Sequence, residues 1–142
     1  MQTIQQHRAR YALEKVQAIK TDPSFDKYDA FKARASELPA MIQMNGLGQA
    51  AAFYRMKGPE HAHQALYKIL SDWLCRESTD EYPQPGIYHA YDTLIEGITK
   101  SDQKQYRLAQ AEALALMDWV KRFAKAFIAD GSRNENAVRR GQ

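Results

Sequence analysis

The side chains whose type and spacing could do chemistry sit in the last long segment of the chain, residues 101–130. Arg107, Lys121 and Lys125 lie there among apolar residues at Tyr106, Ala109, Ala113, Leu116, Val120, Phe123 and Phe127. The apolar spacing alternates three and four, which is one face of a helix. At 100° per residue the three cations fall within roughly 40° of each other, and Lys104 and Arg122 lie about 60° beyond. One helix thus carries a core seam on one side and a basic stripe on the other. Cations spaced along a rigid helix suit a polyanion such as RNA, because they neutralise phosphates without reading bases. The plainer reading is a solvated polar face that serves solubility.

Catalytic chemistry needs a constellation, and none assembles. The histidines are His7, His61, His63 and His89. His61 and His63 stand two apart on an expected helix and point about 200° away from each other, so they do not make a helical metal pair. Gly46-Leu47-Gly48 lacks the following lysine and the preceding strand of a phosphate loop. Cys75 is the only cysteine, which leaves no internal disulfide and favours a reducing compartment. Between Leu74 and Arg76 it reads as a small, partly buried hydrophobe rather than a nucleophile. Asp118 has Lys121 and Arg122 three and four residues on, which is ordinary helix pairing. The expectation is a protein with no catalytic residue, no metal and no cofactor. Asn45 and Gly46 suit a helix terminus, and an exposed Asn45 amide could also contact a phosphate or a neighbouring subunit.

These side chains need helices to hold them. The chain has 142 residues, enough for one domain with its own core. Its net charge is +3, and residues 100–128, with six basic and three acidic side chains, account for the whole excess. Residues 3–20 read as a first helix with Ala9, Ala12, Leu13, Val16 and Ile19 on one face. Asp22 or Ser24 can cap the next helix, with Pro23 in its first turn. That second helix carries Tyr28, Phe31, Ala35, Leu38 and Ile42, with a kink or break expected at Leu38-Pro39. Asn45-Gly46 should end it, and residues 47–56 form a short third helix. Ala62, Ala65, Leu66, Ile69, Leu70 and Trp73 mark a fourth helix. A loop at 77–86 and a fifth helix at 87–98 follow, and Ser101 is a candidate cap for the last. Trp119 and Phe123 should be largely buried at a helix–helix or subunit contact. The expected fold is all-α: one compact domain over residues 1–130, of five or six mostly antiparallel helices with a long C-terminal one, and a flexible tail at 131–142. No apolar stretch approaches a membrane span and no signal peptide is apparent at the N-terminus, so a soluble cytoplasmic protein is expected.

Leu38-Pro39-Ala40-Met41-Ile42, then Asn45-Gly46-Leu47 and Ala52-Phe53-Tyr54, are one half of a recognisable signature. The other half is Tyr106, Ala111-Glu112-Ala113-Leu114 and Trp119-Val120-Lys121-Arg122-Phe123-Ala124. Together, in this order, they resemble the small subunit of the type III-B CRISPR (Cmr) effector complex. The resemblance covers about a third of the chain, and residues 57–100 contribute nothing to it. It implies a non-catalytic subunit of an RNA-guided antiviral machine, in which small subunits stack in several copies and line the path of guide and target RNA. Target cleavage and nucleotide chemistry then belong to other subunits. Partners would be the other Cmr subunits, copies of this chain and RNA, with no membrane and no small-molecule substrate. Lys121 and Arg122 carry over as the basic motif residues, and Asn45 and Gly46 as motif residues of unassigned role. Lys104, Arg107 and Lys125 join them from helix geometry alone. The rival is a helical adaptor whose basic face meets an acidic protein and never touches RNA.

Overall fold

The computed structural model describes residues 1–129. The tail expected at 131–142 falls outside them. Five helices are present: α1 (Ile4–Thr21), α2 (Tyr28–Met56), α3 (Ala62–Leu74), α4 (Leu94–Lys100) and α5 (Gln103–Phe127), with no strand among the described residues.

α1 opens on a capping box. Thr3 accepts from the Gln6 amide, and the Gln6 side chain accepts from the Thr3 amide. Asp22 and Ser24 do not cap α2 as expected. Asp22 instead accepts from the Ser24 amide at 2.9 Å and shapes the connection, and α2 begins beyond Lys27 without a side-chain cap.

α2 is two helices joined at a glycine. Helical dihedrals continue through Pro39, so the chain does not break there; the helix end expected at Asn45-Gly46 is present, at Gly46, where φ is 87° and ψ 158°. Only glycine enters that region of backbone space without strain. The two arms, 28–45 and 47–56, fold back on each other, since Tyr54 Oη donates to the Arg34 carbonyl at 3.0 Å. In a straight helix those residues would be about 30 Å apart. The short third helix expected from the sequence is the second arm.

α4 starts later than the expected residue 87. Before it, the chain is tied to the end of α3: the Gly86 amide donates to the Arg76 carbonyl and the Tyr88 amide to the Leu74 carbonyl. A side chain at Gly86 would place its Cβ 2.1 Å from the Leu74 oxygen, so glycine is what permits the approach. The helix begins where Thr93 caps the Glu96 amide and Ser71 Oγ accepts from the Leu94 amide. α5 is capped by Asp102, which accepts from the Gln105 amide at 2.8 Å. Ser101, the expected cap, donates to Tyr88 Oη instead.

α5 is the axis of the molecule and packs against α1, α2 and α3. Phe31, Leu38, Ile42, Leu47, Tyr54, Leu66, Trp73 and Leu116 fill the centre, none more than 1% exposed. α1 and α5 run side by side in the same direction: Arg8 in the second turn of α1 meets Glu112 in the middle of α5, and Ala18 and Thr21 flank Phe127 at the two C-terminal ends.

Candidate nucleic-acid interface

The seam predicted for α5 holds along most of its length. Ala109, Ala113, Leu116, Val120 and Ala124 are fully buried, while Tyr106 and Phe123 are partly buried. It fails at the end. Phe127 is 40% exposed and borders an open groove beside the last turns of α1. Trp119 is partly buried rather than enclosed. It stacks on Phe123 with ring centroids 5.5 Å apart, and Phe123 continues the row to Phe127 at 6.1 Å.

On the far side of α5, Lys104, Arg107, Arg122 and Lys125 are exposed and Lys121 is half-exposed. Among the described residues no carboxylate lies at ion-pair distance from Lys104, Arg107, Lys121 or Lys125. Arg122 reaches Asp118 at 3.4 Å, with side chains 71% and 59% exposed, a pair that solvent largely screens. Lys104 lies in the first turn, where the helix dipole disfavours a cation, so its charge does not serve helix stability.

The five cations are not one continuous row. At 1.5 Å per residue Arg107 and Lys121 are about 21 Å apart along the axis. Ala111, Leu114 and Asp118 occupy the face between them. The structure therefore presents two clusters, Lys104 with Arg107 and Lys121 with Arg122 and Lys125. Each can neutralise a separate stretch of phosphates.

The tip of the α2 hairpin lies against the first turns of α5. The Leu47 amide donates to Gln110 Oε1 and the Gly48 amide to Tyr106 Oη, both at 2.9 Å. These amides open the second arm, so α5 supplies from outside the cap that the arm lacks. A Cβ on Gly46 would stand 3.1 Å from Tyr106 Oη. Gly46 is thereby explained by backbone geometry. Asn45 is exposed at the tip, beside the turns that carry Arg107, and its side chain has no hydrogen bond among the described residues. The two halves of the sequence signature, Asn45-Gly46-Leu47 and Tyr106, thus meet in space.

Two other features were not read from the sequence. Arg8, Glu112 and Trp73 form a hydrogen-bonded cluster between α1, α5 and α3. Glu112 sits next to buried Ala113, and an acid so placed needs a partner, which was the available signal. Gln110 and Tyr106, four apart, were the corresponding signal for the hairpin cap.

His61 and His63, expected to point apart on one helix, instead meet edge to face with ring centroids 6.1 Å apart, because His61 is the extended N-cap residue before α3. Among the described residues no group of His, Cys, Asp and Glu could hold a metal. Burial pushes the Cys75 thiol up to about 11, which makes it a poor nucleophile. No helix of the described residues is long and apolar enough to cross a membrane.

Residues 4–127 match the family model described as CRISPR-associated protein (Cas_Cmr5). The CRISPR system Cmr subunit Cmr5 of Thermus thermophilus is 32% identical over 128 residues, spanning 90% of this chain and 98% of that protein. The crystal structure of a CRISPR-associated Cmr5 family protein from Thermus thermophilus superposes with a TM-score of 0.69 at 30% identity, over 91% of this chain and 100% of that one.

Proposed function

The chain belongs to the CRISPR-associated Cmr5 family, and on that premise we propose that it is a non-catalytic small subunit of a type III-B effector complex that lines the guide and target RNA path with α5. Several copies stack in the complex, and each contributes its two cation clusters to the path. The observation that carries this reading is the set of cations on one face of α5, of which Lys104, Arg107, Lys121 and Lys125 have no carboxylate at ion-pair distance among the described residues and Arg122 has only the solvent-screened Asp118. Fixed cations on a rigid helix contact phosphates whatever the sequence, as a path for many different guides requires. A few contacts per copy give weak binding, and stacking multiplies them through effective concentration. Asn45 extends the first cluster at the hairpin tip.

The rival adaptor reading draws support from the row Trp119, Phe123 and Phe127, which leaves aromatic surface open at the end of α5. Such a row suits a protein contact. The two readings divide the helix between them: the aromatic row is the subunit contact and the cation clusters face RNA. Photocrosslinking of the assembled complex to labelled target RNA separates them. Our reading expects crosslinks to α5 peptides that fade as salt rises. Crosslinks confined to other subunits at low salt would favour the adaptor.

A further inference from the structure

About 140° around α5 from Arg107, a cleft of about 290 Å³ opens between the start of α1, the segment after α3 and the middle of α5. Its walls are Ile4, Arg76, Gln84, Pro85, Ile87 and Glu112. The polar groups in it are already fixed. Glu112 gives both oxygens to Arg8, at 2.8 and 2.9 Å, and accepts from Trp73 Nε1 as well. Gln84 Oε1 lies 3.2 Å from His7 Nδ1, which leaves its amide nitrogen free to donate. Arg76 lies flat on the Trp73 ring, its guanidinium carbon 3.5 Å from the centroid, and donates one Nη1 hydrogen to the Trp73 carbonyl.

Arg76 is the unbalanced member. It is half-buried, and no carboxylate among the described residues reaches it at ion-pair distance. Burial pushes its guanidinium below the usual range; Glu112 opposes that shift, and Arg8 adds to it. Two arginines therefore face one carboxylate that is already engaged. A half-buried cation without an anion carries a desolvation cost that a bound anion would offset. The walls around it are aliphatic, and a single charge is left unmatched, which fits a monoanion with an apolar body better than a phosphate dianion.

We propose that this cleft binds a carboxylate carried on an aliphatic body, with its oxygens on the outer edge of Arg76 and on the Gln84 amide and its apolar part against Ile4, Pro85 and Ile87. The carboxylate comes either from a free acid or from an acidic side chain of a partner protein. The site is separate from the cation clusters of α5, so either assignment can fail alone.

Trp73 is the reporter. Its indole N–H is bonded to Glu112 and its ring is covered by Arg76, so a ligand on Arg76 must move its resonance. The ¹⁵N-labelled full chain is titrated at constant ionic strength with 4-methylpentanoate, with 4-methylpentanamide, and with an acetylated, amidated Leu-Glu dipeptide. The expected result is a saturable shift with the acid or the dipeptide, with a dissociation constant of roughly 1 mM, the order a ligand this small permits. The uncharged amide should give none. Arg76→Gln should weaken binding at least tenfold, and Arg76→Lys, which keeps the charge but not the fork, should fall between. Tighter binding of the dipeptide than of the acid identifies a partner protein as the source, and the reverse identifies a small acid. If the amide shifts Trp73 as the acid does, or if neither acid nor dipeptide saturates, the site does not exist. These wild-type arms stand even if the Arg76 variants fail to fold.

Discussion

Arg8 and Glu112 lie 104 positions apart in the chain and meet fork to fork, with Nε on Oε1 at 2.8 Å and Nη2 on Oε2 at 2.9 Å. Their side chains are only 14% and 18% exposed. Removing one partner strands the other charge, so Glu112→Gln should destabilise the chain by about 3 kcal/mol. For a domain of this size that lowers the melting temperature by roughly 10 °C. The double change Arg8→Met with Glu112→Gln, which removes both charges and keeps an amide oxygen to accept from Trp73 Nε1, should recover most of the loss. Equal melting temperatures for Glu112→Gln and the unaltered chain would show that the pair is incidental.

The hairpin at Gly46 should tolerate no side chain. Gly46→Ala forces a β-carbon into a glycine-only conformation against Tyr106 and should cost about 1–3 kcal/mol. Tyr106→Phe leaves the Gly48 amide without its acceptor and should cost about 1–3 kcal/mol as well. Because both act at one junction, their double mutant should lose less than the sum. Strict additivity in urea unfolding would argue that α5 does not cap the second arm.

The two tryptophans should part company. Trp73 is fully buried, and Trp73→Ala should cost about 3–5 kcal/mol. Trp119 is partly buried on an open aromatic row, so Trp119→Ala should cost about 1–2 kcal/mol and leave the isolated chain folded. Its larger effect should be on co-purification with the other Cmr subunits. Normal incorporation of Trp119→Ala would remove the aromatic row as a subunit contact.

His63 should give the fold a dependence on acid. Burial is the main cause that lowers its pKa from 6.5, with Arg34, Lys57 and His61 adding to the effect and Glu37 opposing it. Among the described residues its ring nitrogens have no hydrogen-bond partner, and its ring centroid lies 4.7 Å from that of Tyr54. The unfolded chain therefore binds the proton more readily. His63 contributes its stability above pH 6.5, and that stability is lost as pH falls from 6.5 through the lower folded value. His63→Phe should flatten the fall of melting temperature over that window. An unchanged slope would place the acid sensitivity elsewhere.

The helices, the core face of α5 and the helix end at Gly46 could be read in the chain, because each rests on local spacing or on one residue's dihedral freedom, whereas the folding back of the two arms shows only in the Tyr54–Arg34 contact. Pro39 misled, since the missing hydrogen bond is a local cost while the first arm is held by Phe31, Leu38 and Ile42 in the core. The start of α4 was misplaced because Gly86 and Tyr88 are claimed by α3 carbonyls far back in the sequence. The capping signal at Thr93 and Glu96 was nonetheless present. The candidate cations were legible as a helix face. Their division into two clusters follows from the axial rise, which a view down the helix axis conceals. The side chains that α5 lends to the hairpin come from tertiary packing and carry no local pattern.

The most direct test of the account is the salt dependence of target RNA binding by the reconstituted complex. One complex carries the unaltered chain and the other Lys121→Glu, Arg122→Glu and Lys125→Glu. Exposed or half-exposed positions seldom cost beyond about 0.5 kcal/mol each, so the variant should fold and assemble. For every phosphate no longer neutralised, the slope of log affinity against log salt should fall by roughly 0.7 for single-stranded RNA, or nearer 0.9 for a duplex. The account predicts weaker binding of every target sequence and a shallower slope in the variant. Normal assembly with unchanged affinity and unchanged slope would contradict it, and the basic face of α5 would then be a solvated surface.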